Sequence, residues 1–221
     1  MNPVVAANQA SSDLIAQKIG ETKPQFKISI SNVDWHIQIR KSRELTTNLK
    51  KECFEIFEDN MRETYNKSSN GYNVKEKKKE LFHRASKFML ISSASEINSM
   101  NQKTLHSETQ QSGCPLAGFL MWRFDFEETL TDEMVEVVYC YEIQVRMEAK
   151  GKGLGKALMK LLEAIARGFS IPKLMLTVHQ SNKHALQFYK VLGFSPDEIC
   201  PSQVRGAEEA DYQILFKTIQ L

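Results

Sequence analysis

Paired cysteines, metal-ligand spacing, a membrane-length apolar run and a strong charge surplus are all missing from this chain. Its four cysteines, Cys53, Cys114, Cys140 and Cys200, form no C-x-x-C pair and no zinc pattern with histidine. Reduced thiols are expected rather than a disulfide framework. The five histidines (His36, His83, His106, His179, His184) show no ligand spacing either, so no metal is expected. No apolar run approaches the ~20 residues of a membrane span, and the N-terminal stretch lacks the apolar core of a secretory signal. A soluble, intracellular chain with no membrane partner is the expectation. A net charge of +2 gives no argument for direct nucleic-acid binding. What is present is ordinary: 221 residues, 42% hydrophobic and 25% charged, enough for one domain with a sizeable core. A monomer is expected.

Along the chain, residues 1–25 read as a tail or surface helix, and residues 26–221 as a single domain. A first strand is expected within 26–40, where Phe26, Ile28, Ile30, Ile37 and Ile39 alternate with polar residues. Leu49, Cys53, Ile56, Phe57, Met61 and Tyr65 form a helical stripe over about 43–64. The Lys75–Lys79 run starts a second, short helix and reads as a solvated face. Strands follow at 87–94 and 116–126, separated by a polar loop insertion at 95–113. A short acidic link then joins 116–126 to 134–145 as an antiparallel hairpin. Lys173–His179 is a buried-looking strand. Ser181 or Asn182 can cap the next helix, Gly193 stops it, and Tyr212–Ile219 is the last strand. Meandering strands followed by βαβ alternation define an α+β, three-layer arrangement with helices flanking a mixed sheet of about six to seven strands.

The stretch from Met134 to Gly168 carries the chemistry. Val135, Val137, Val138, Tyr139, Tyr141, Ile143 and Val145 suit a strand. Leu154, Ala157, Leu158, Leu161, Leu162, Ile165 and Ala166 share a helical face. Between them, Gly151, Gly153 and Gly155 let backbone amides approach a ligand, and the helix adds unpaired N–H groups and a positive dipole end. An anion, most simply a pyrophosphate, fits such a turn. A phosphate loop of the G-x-x-x-x-G-K-S/T kind fails, because the chain has Lys150 and Ala157 where Gly and Ser/Thr are required. The dinucleotide pattern G-x-G-x-x-G fails at Lys156.

Lys150-Gly151-Lys152-Gly153-Leu154-Gly155 instead resembles the acetyl-CoA signature of the GCN5-related N-acetyltransferases (the GNAT superfamily). Downstream, Asn182-x-x-Ala185-x-x-Phe188-Tyr189-x-x-x-Gly193-Phe194 is similar to a second segment of that family. The resemblance implies the GNAT fold, acetyl-CoA as co-substrate, and transfer of its acetyl group to an amine. It further implies that the backbone of Gln144, Val145 and Arg146 pairs with the pantetheine amides. The amides of Lys150, Gly151, Lys152, Gly153, Leu154 and Gly155 would hold the pyrophosphate. Asn182 and Tyr189 would sit near the thioester. An aromatic on an apolar helix face also fits plain core packing, which stays open for Tyr189. Lys150 stands where the family more often has Gln or Arg.

On the acceptor side, Tyr139-Cys140-Tyr141-Glu142-Ile143-Gln144 and Leu174-Met175-Leu176-Thr177-Val178 resemble the N-terminal acetyltransferase D (NatD) family. So do Phe124-Asp125-Phe126-Glu127, Asn60-Met61-x-x-x-Tyr65 and Asp211-Tyr212-Gln213-Ile214-Leu215. That family acetylates the N-terminal serine of histone tails beginning Ser-Gly-Arg-Gly. The implied partner is therefore a histone N-terminal tail. An α-amine, with a pKa of about 7.7–8.0 against about 10.4 for lysine, needs only a modest base. Glu142 is the candidate base, Tyr141 the candidate acid, and Tyr139 a substrate-orienting group. Thr177 is implied at the cofactor and, with Tyr65 and Tyr212, in the acceptor cleft. Asp125 and Glu127 share a strand face and could grip an arginine of the substrate, or simply form an exposed acidic hairpin end. Trp122 is read as core. The family commonly has tryptophan where this chain has Asn70. Strand alternation separates Glu142 from Tyr139 and Tyr141, so one cleft would require a bulge near Glu142. Without it, the tyrosines read as sheet packing and Glu142 as an edge charge.

Overall fold

The computed structural model describes residues 2–68, 71–93, 115–204 and 210–221. Two short helices, α1 (Pro3–Gln9) and α2 (Ser12–Lys18), open the chain, capped by the side chains of Asn2 and Ser11. Strands β1 (Gln25–Ile30) and β2 (Val33–Lys41) then pair as a hairpin. Residues 26–40 thus hold two strands rather than one. The turn between them places Ser31 and Asn32 at φ 51° and 63°, both left-handed as a tight hairpin turn requires.

Helix α3 (Thr47–Asn66), capped by Thr46, is followed by α4 (Val74–Leu81). Next come β3 (Lys87–Ser93), β4 (Leu116–Glu128) and β5 (Met134–Val145). The remaining elements are α5 (Leu154–Gly168), β6 (Lys173–His179), α6 (Lys183–Val191), the two-residue β7 (Ser195–Pro196) and β8 (Tyr212–Thr218). The insertion expected at 95–113 and Asn70 lie outside the described residues.

The strands make one sheet of eight, ordered β1-β2-β3-β4-β5-β6-β8-β7. The split hairpin and the short β7 bring it above the six or seven expected. Among the described strands, only β5 and β6 run parallel; the α5 crossover between them supplies the length that a parallel connection needs. The sheet separates two apolar layers. On one face, α5 inserts Leu154, Leu158, Met159, Leu162 and Ile165 against Trp35, Trp122, Phe124 and Val138. Residues of α1, α2 and α6 close the same layer. Trp122 is fully buried there, as core. On the other face, Cys53, Phe54, Ile56 and Phe57 of α3 and Leu81 of α4 pack on Phe88, Phe119 and Met121. Residues 1–25, read as a tail or surface helix, bury Val4, Ala7, Ile15 and Ala16 almost completely. Small alanines give little periodic signal, which is why this packing was not visible as an amphipathic stripe.

Candidate active site

The strand β5 does what simple alternation forbids. Its register against β4 runs Met121↔Glu142 and then Trp122↔Cys140, so Tyr141 is an extra, bulged residue. A bulge turns two successive side chains toward one side. Cys140 faces the α5 layer, while Tyr139, Tyr141, Glu142 and Gln144 look toward α3 and α4. Tyr139 and Tyr141 lie with ring centroids 4.9 Å apart, and the Arg123 guanidinium sits 4.2 Å over Tyr141.

Glu142 is 6% exposed, so it is no solvated edge charge. Its Oε1 meets Lys77 Nζ at 2.6 Å, and its Oε2 accepts from Gln144 Nε2 at 2.8 Å. Lys77 donates onward to Tyr65 Oη at 3.0 Å and to Glu80 Oε1 at 2.5 Å. This corrects the reading of Lys75–Lys79 as a solvated face throughout. Lys77 falls four residues before Leu81 and shares its buried side, whereas Lys75, Lys78 and Lys79 are exposed. Burial alone would lower the Lys77 pKa, but Glu142, then Tyr65 and Glu80, outweigh it and raise it above the ordinary lysine value. The Tyr65 phenol is pushed up to about 12, by burial first and by the Glu142 charge second.

From Gln144 the hydrogen bonds continue. Its Oε1 accepts from Asn60 Nδ2 at 3.0 Å, and Asn60 Oδ1 accepts from Lys150 Nζ at 3.0 Å. One chain of contacts therefore joins the glycine turn to the carboxylate. Lys150 spends its ammonium on α3, while Lys152 extends over the Trp35 ring at 6.0 Å.

The turn itself is built as an anion cradle. Gly151 and Gly153 have φ of 76° and 82°, where a side chain would be strained, and no side chain caps α5. Gly155 has a packing role: a Cβ there would lie 3.3 Å from Phe188 of α6. Beside the turn the sheet opens. The β5–β6 pairing ends at Cys140↔Leu176, although β5 continues to Val145 and β6 to His179. An unpaired strand edge is a template for an extended ligand with amide groups. Arg146 N–H already bonds Ala117 C=O, and Val145 C=O accepts from Asn60 Nδ2. By strand alternation, the N–H groups of Ile143 and Val145 then face the open edge. The cradle and edge fit a pantetheine pyrophosphate.

The other expected residues divide between the faces. Thr177 Oγ1 lies 2.6 Å from Tyr139 Oη, on the side of Glu142. Tyr212 pairs across the ladder with His179, whose ring meets Tyr65 at 5.1 Å. Asp125 and Glu127 also look this way, opposite Val137 and Val135, and the Glu127 pKa is raised by burial and then by Asp125. Asn182 Oδ1 is committed as the N-cap of α6, bonding Ala185 N at 3.1 Å. Tyr189 is buried in the α5 layer between Phe188 and Phe194, and burial holds its phenol well above the ordinary value.

Sequence reasoning passed over Lys77, Arg123 and His179. The i, i+4 relation of Lys77 to Leu81 could have flagged the first; nothing local flags the others. A cleft of about 530 Å³ opens alongside, lined among others by Tyr65, Tyr72, Lys77, Glu80, His83 and Arg123.

Residues 52–194 match the Acetyltransferase (GNAT) family. The chain belongs to that family, its sheet is the GNAT fold, and its reaction class is acetyl transfer from acetyl-CoA. Solved structures agree on the fold. NAA60 of Arabidopsis thaliana, in complex with a bisubstrate analogue, is 15% identical with a TM-score of 0.54, over 83% of this chain and 99% of that one. Ard1 of Thermoplasma volcanium is 14% identical with a TM-score of 0.51, over 84% and 99%. The PaiA N-acetyltransferase of Thermoplasma acidophilum, in complex with coenzyme A, is 16% identical with a TM-score of 0.52, over 82% and 98%.

Proposed function

We propose that the chain is an N-terminal acetyltransferase of the NatD type, moving acetyl from acetyl-CoA to the N-terminal serine of histone tails that begin Ser-Gly-Arg-Gly. The observation that carries the reading is the β5 bulge, which gathers Glu142, Tyr139 and Tyr141 beside the open strand edge. When bound, acetyl-CoA supplies the activated thioester. Glu142 receives the proton of the acceptor amine, directly or through a water. Tyr141 holds a proton at Oη for the leaving sulfur. Its pKa is raised by burial, against the opposing effect of Arg123, so it remains a phenol at neutral pH. Tyr139, fixed by Thr177, orients the acceptor. Asp125 and Glu127 lie on the same face and suit the arginine at the third position of the substrate.

The test is a panel of acceptors with acetyl-CoA: a Ser-Gly-Arg-Gly peptide, the same peptide with a blocked N terminus and an internal lysine, and a polyamine. Turnover of the first alone supports the proposal. Preference for the blocked lysine peptide or the polyamine replaces it with a lysine or small-amine acetyltransferase.

A further inference from the structure

We propose that Lys77 is a positioning residue for the acceptor base: its buried ammonium keeps Glu142 ionised and fixes the carboxylate on the acceptor face. The inference rests on the reading of Glu142 as the base. Both side chains are 6% exposed, and the contact between them is 2.6 Å. A carboxylate this buried with no cation beside it takes up a proton, and a protonated Glu142 cannot accept one from an amine. Gln144 alone, a neutral donor to Oε2, does not supply the missing charge.

The surroundings of Lys77 fit this task. Glu142 faces it from β5, Glu80 from its own helix and Tyr65 from α3, while Tyr72, in the segment before α4, lines the same cleft and feels its charge. Among the described residues, Tyr141 adjoins Glu142 on β5, and Cys140 and Tyr189 also lie within reach of its charge; burial raises the pKa of all three. Phe57 lies with its ring 4.9 Å from the ammonium, which holds a cation without adding a proton acceptor. Lysine has no acceptor of its own, so Tyr65 Oη must accept from it. The Tyr65 hydroxyl proton is thereby left to point elsewhere, and Tyr65 and Lys77 both line the adjoining cleft. One side chain on α4 thus sets the charge of the base and the direction of a neighbouring donor.

The experiment is the pH dependence of kcat/KM for the full chain, with Lys77→Met and Lys77→Arg beside the unaltered protein. Lys77→Met should lower kcat/KM most on the acidic side of the profile. It should also move the acidic limb upward by about one pH unit or more, with activity recovering at high pH. Lys77→Arg should restore the unshifted limb, and KM for acetyl-CoA should hold in both. A loss by the same factor at every pH, or an unshifted limb in Lys77→Met, overturns the proposal, because a merely structural pair would behave so. If Lys77→Met does not fold, Lys77→Gln keeps a donor to Glu142, removes only the charge, and carries the same expectations. The profile is run on whichever amine the unaltered protein acetylates. A wrong choice of acceptor class therefore shows as a substrate preference, while a wrong role for Lys77 shows as an unmoved limb.

Discussion

Glu142 and Lys77 form a buried pair whose desolvation is offset only because each remaining polar atom has a partner. Removing one member of such a pair costs about 3–5 kcal/mol, whereas an apolar replacement of both can be neutral. Glu142→Gln keeps the shape and the Gln144 contact while abolishing the basic lone pair. It should lower kcat by roughly 10²–10⁴-fold with KM for acetyl-CoA unchanged, as initial rates will show. An unaltered kcat would return Glu142 to a purely structural role. At the acidic pair, Asp125→Ala combined with Glu127→Ala should raise KM for the arginine-containing peptide. It should leave KM for an alanine-for-arginine peptide where it was; equal use of both peptides by the unaltered protein would remove the gripping role.

A second buried lysine behaves oppositely. Lys87 is 2% exposed, donates to Asn8 Oδ1 and Ala85 C=O, and faces the Phe124 ring. Burial, then Lys41 and Arg123, pushes its pKa from 10.5 down to about 7. Between those two values the unfolded chain holds a proton that the native chain lacks, so this group makes stability rise with pH. Below about pH 7 both states are protonated and its cost is full and constant. Relative to Lys87→Met, the unaltered protein should gain roughly 1 kcal/mol per pH unit between pH 7 and 9 in denaturant titrations. A difference independent of pH would contradict this.

At the scale of elements, the glycine turn before α5 is the anchor proposed for the cofactor. In Gly153→Ala, the new Cβ would have to adopt φ 82° and would meet Ile30 Cγ2 at 3.2 Å. The strain, on the order of 1–2 kcal/mol, should tilt the turn and raise KM for acetyl-CoA about tenfold, with kcat little changed. The turn was legible because glycine spacing is a local property, as was the Asn182 cap. The β5 bulge was not. A bulge is a mismatch between two strands, and nothing in Tyr139–Gln144 alone records that Trp122 opposes Cys140 while Met121 opposes Glu142. The β1–β2 hairpin escaped notice for a related reason: its turn uses Ser31-Asn32 rather than the Asn-Gly that marks such turns. Lys77 was hidden by its neighbours, since four exposed charges around it made the run look uniformly solvated.

For the whole molecule, the sheet acts as a partition. The anion turn and Tyr189 belong to the α5 layer, while the proposed base and acceptor groups belong to the α3–α4 layer. The two communicate where β5 and β6 part. The layer around α5 is completed by the first two helices, with Gly168 of α5 so close to Lys18 that a Cβ would sit 2.7 Å from its carbonyl oxygen. Deleting residues 1–20 should strip Ala7, Ile15 and Ala16 from the α5 layer and uncover Lys87 beneath Asn8. A fall in Tm on the order of 10 °C is expected, measured by calorimetry.

The central claim is that this architecture acetylates an α-amine. Its most direct test is mass-spectrometric mapping of the acetyl group on a Ser-Gly-Arg-Gly peptide carrying internal lysines, after incubation with the protein and acetyl-CoA. The account predicts a single acetyl group on the N-terminal serine nitrogen; an acetyl group found only on lysine side chains would contradict it.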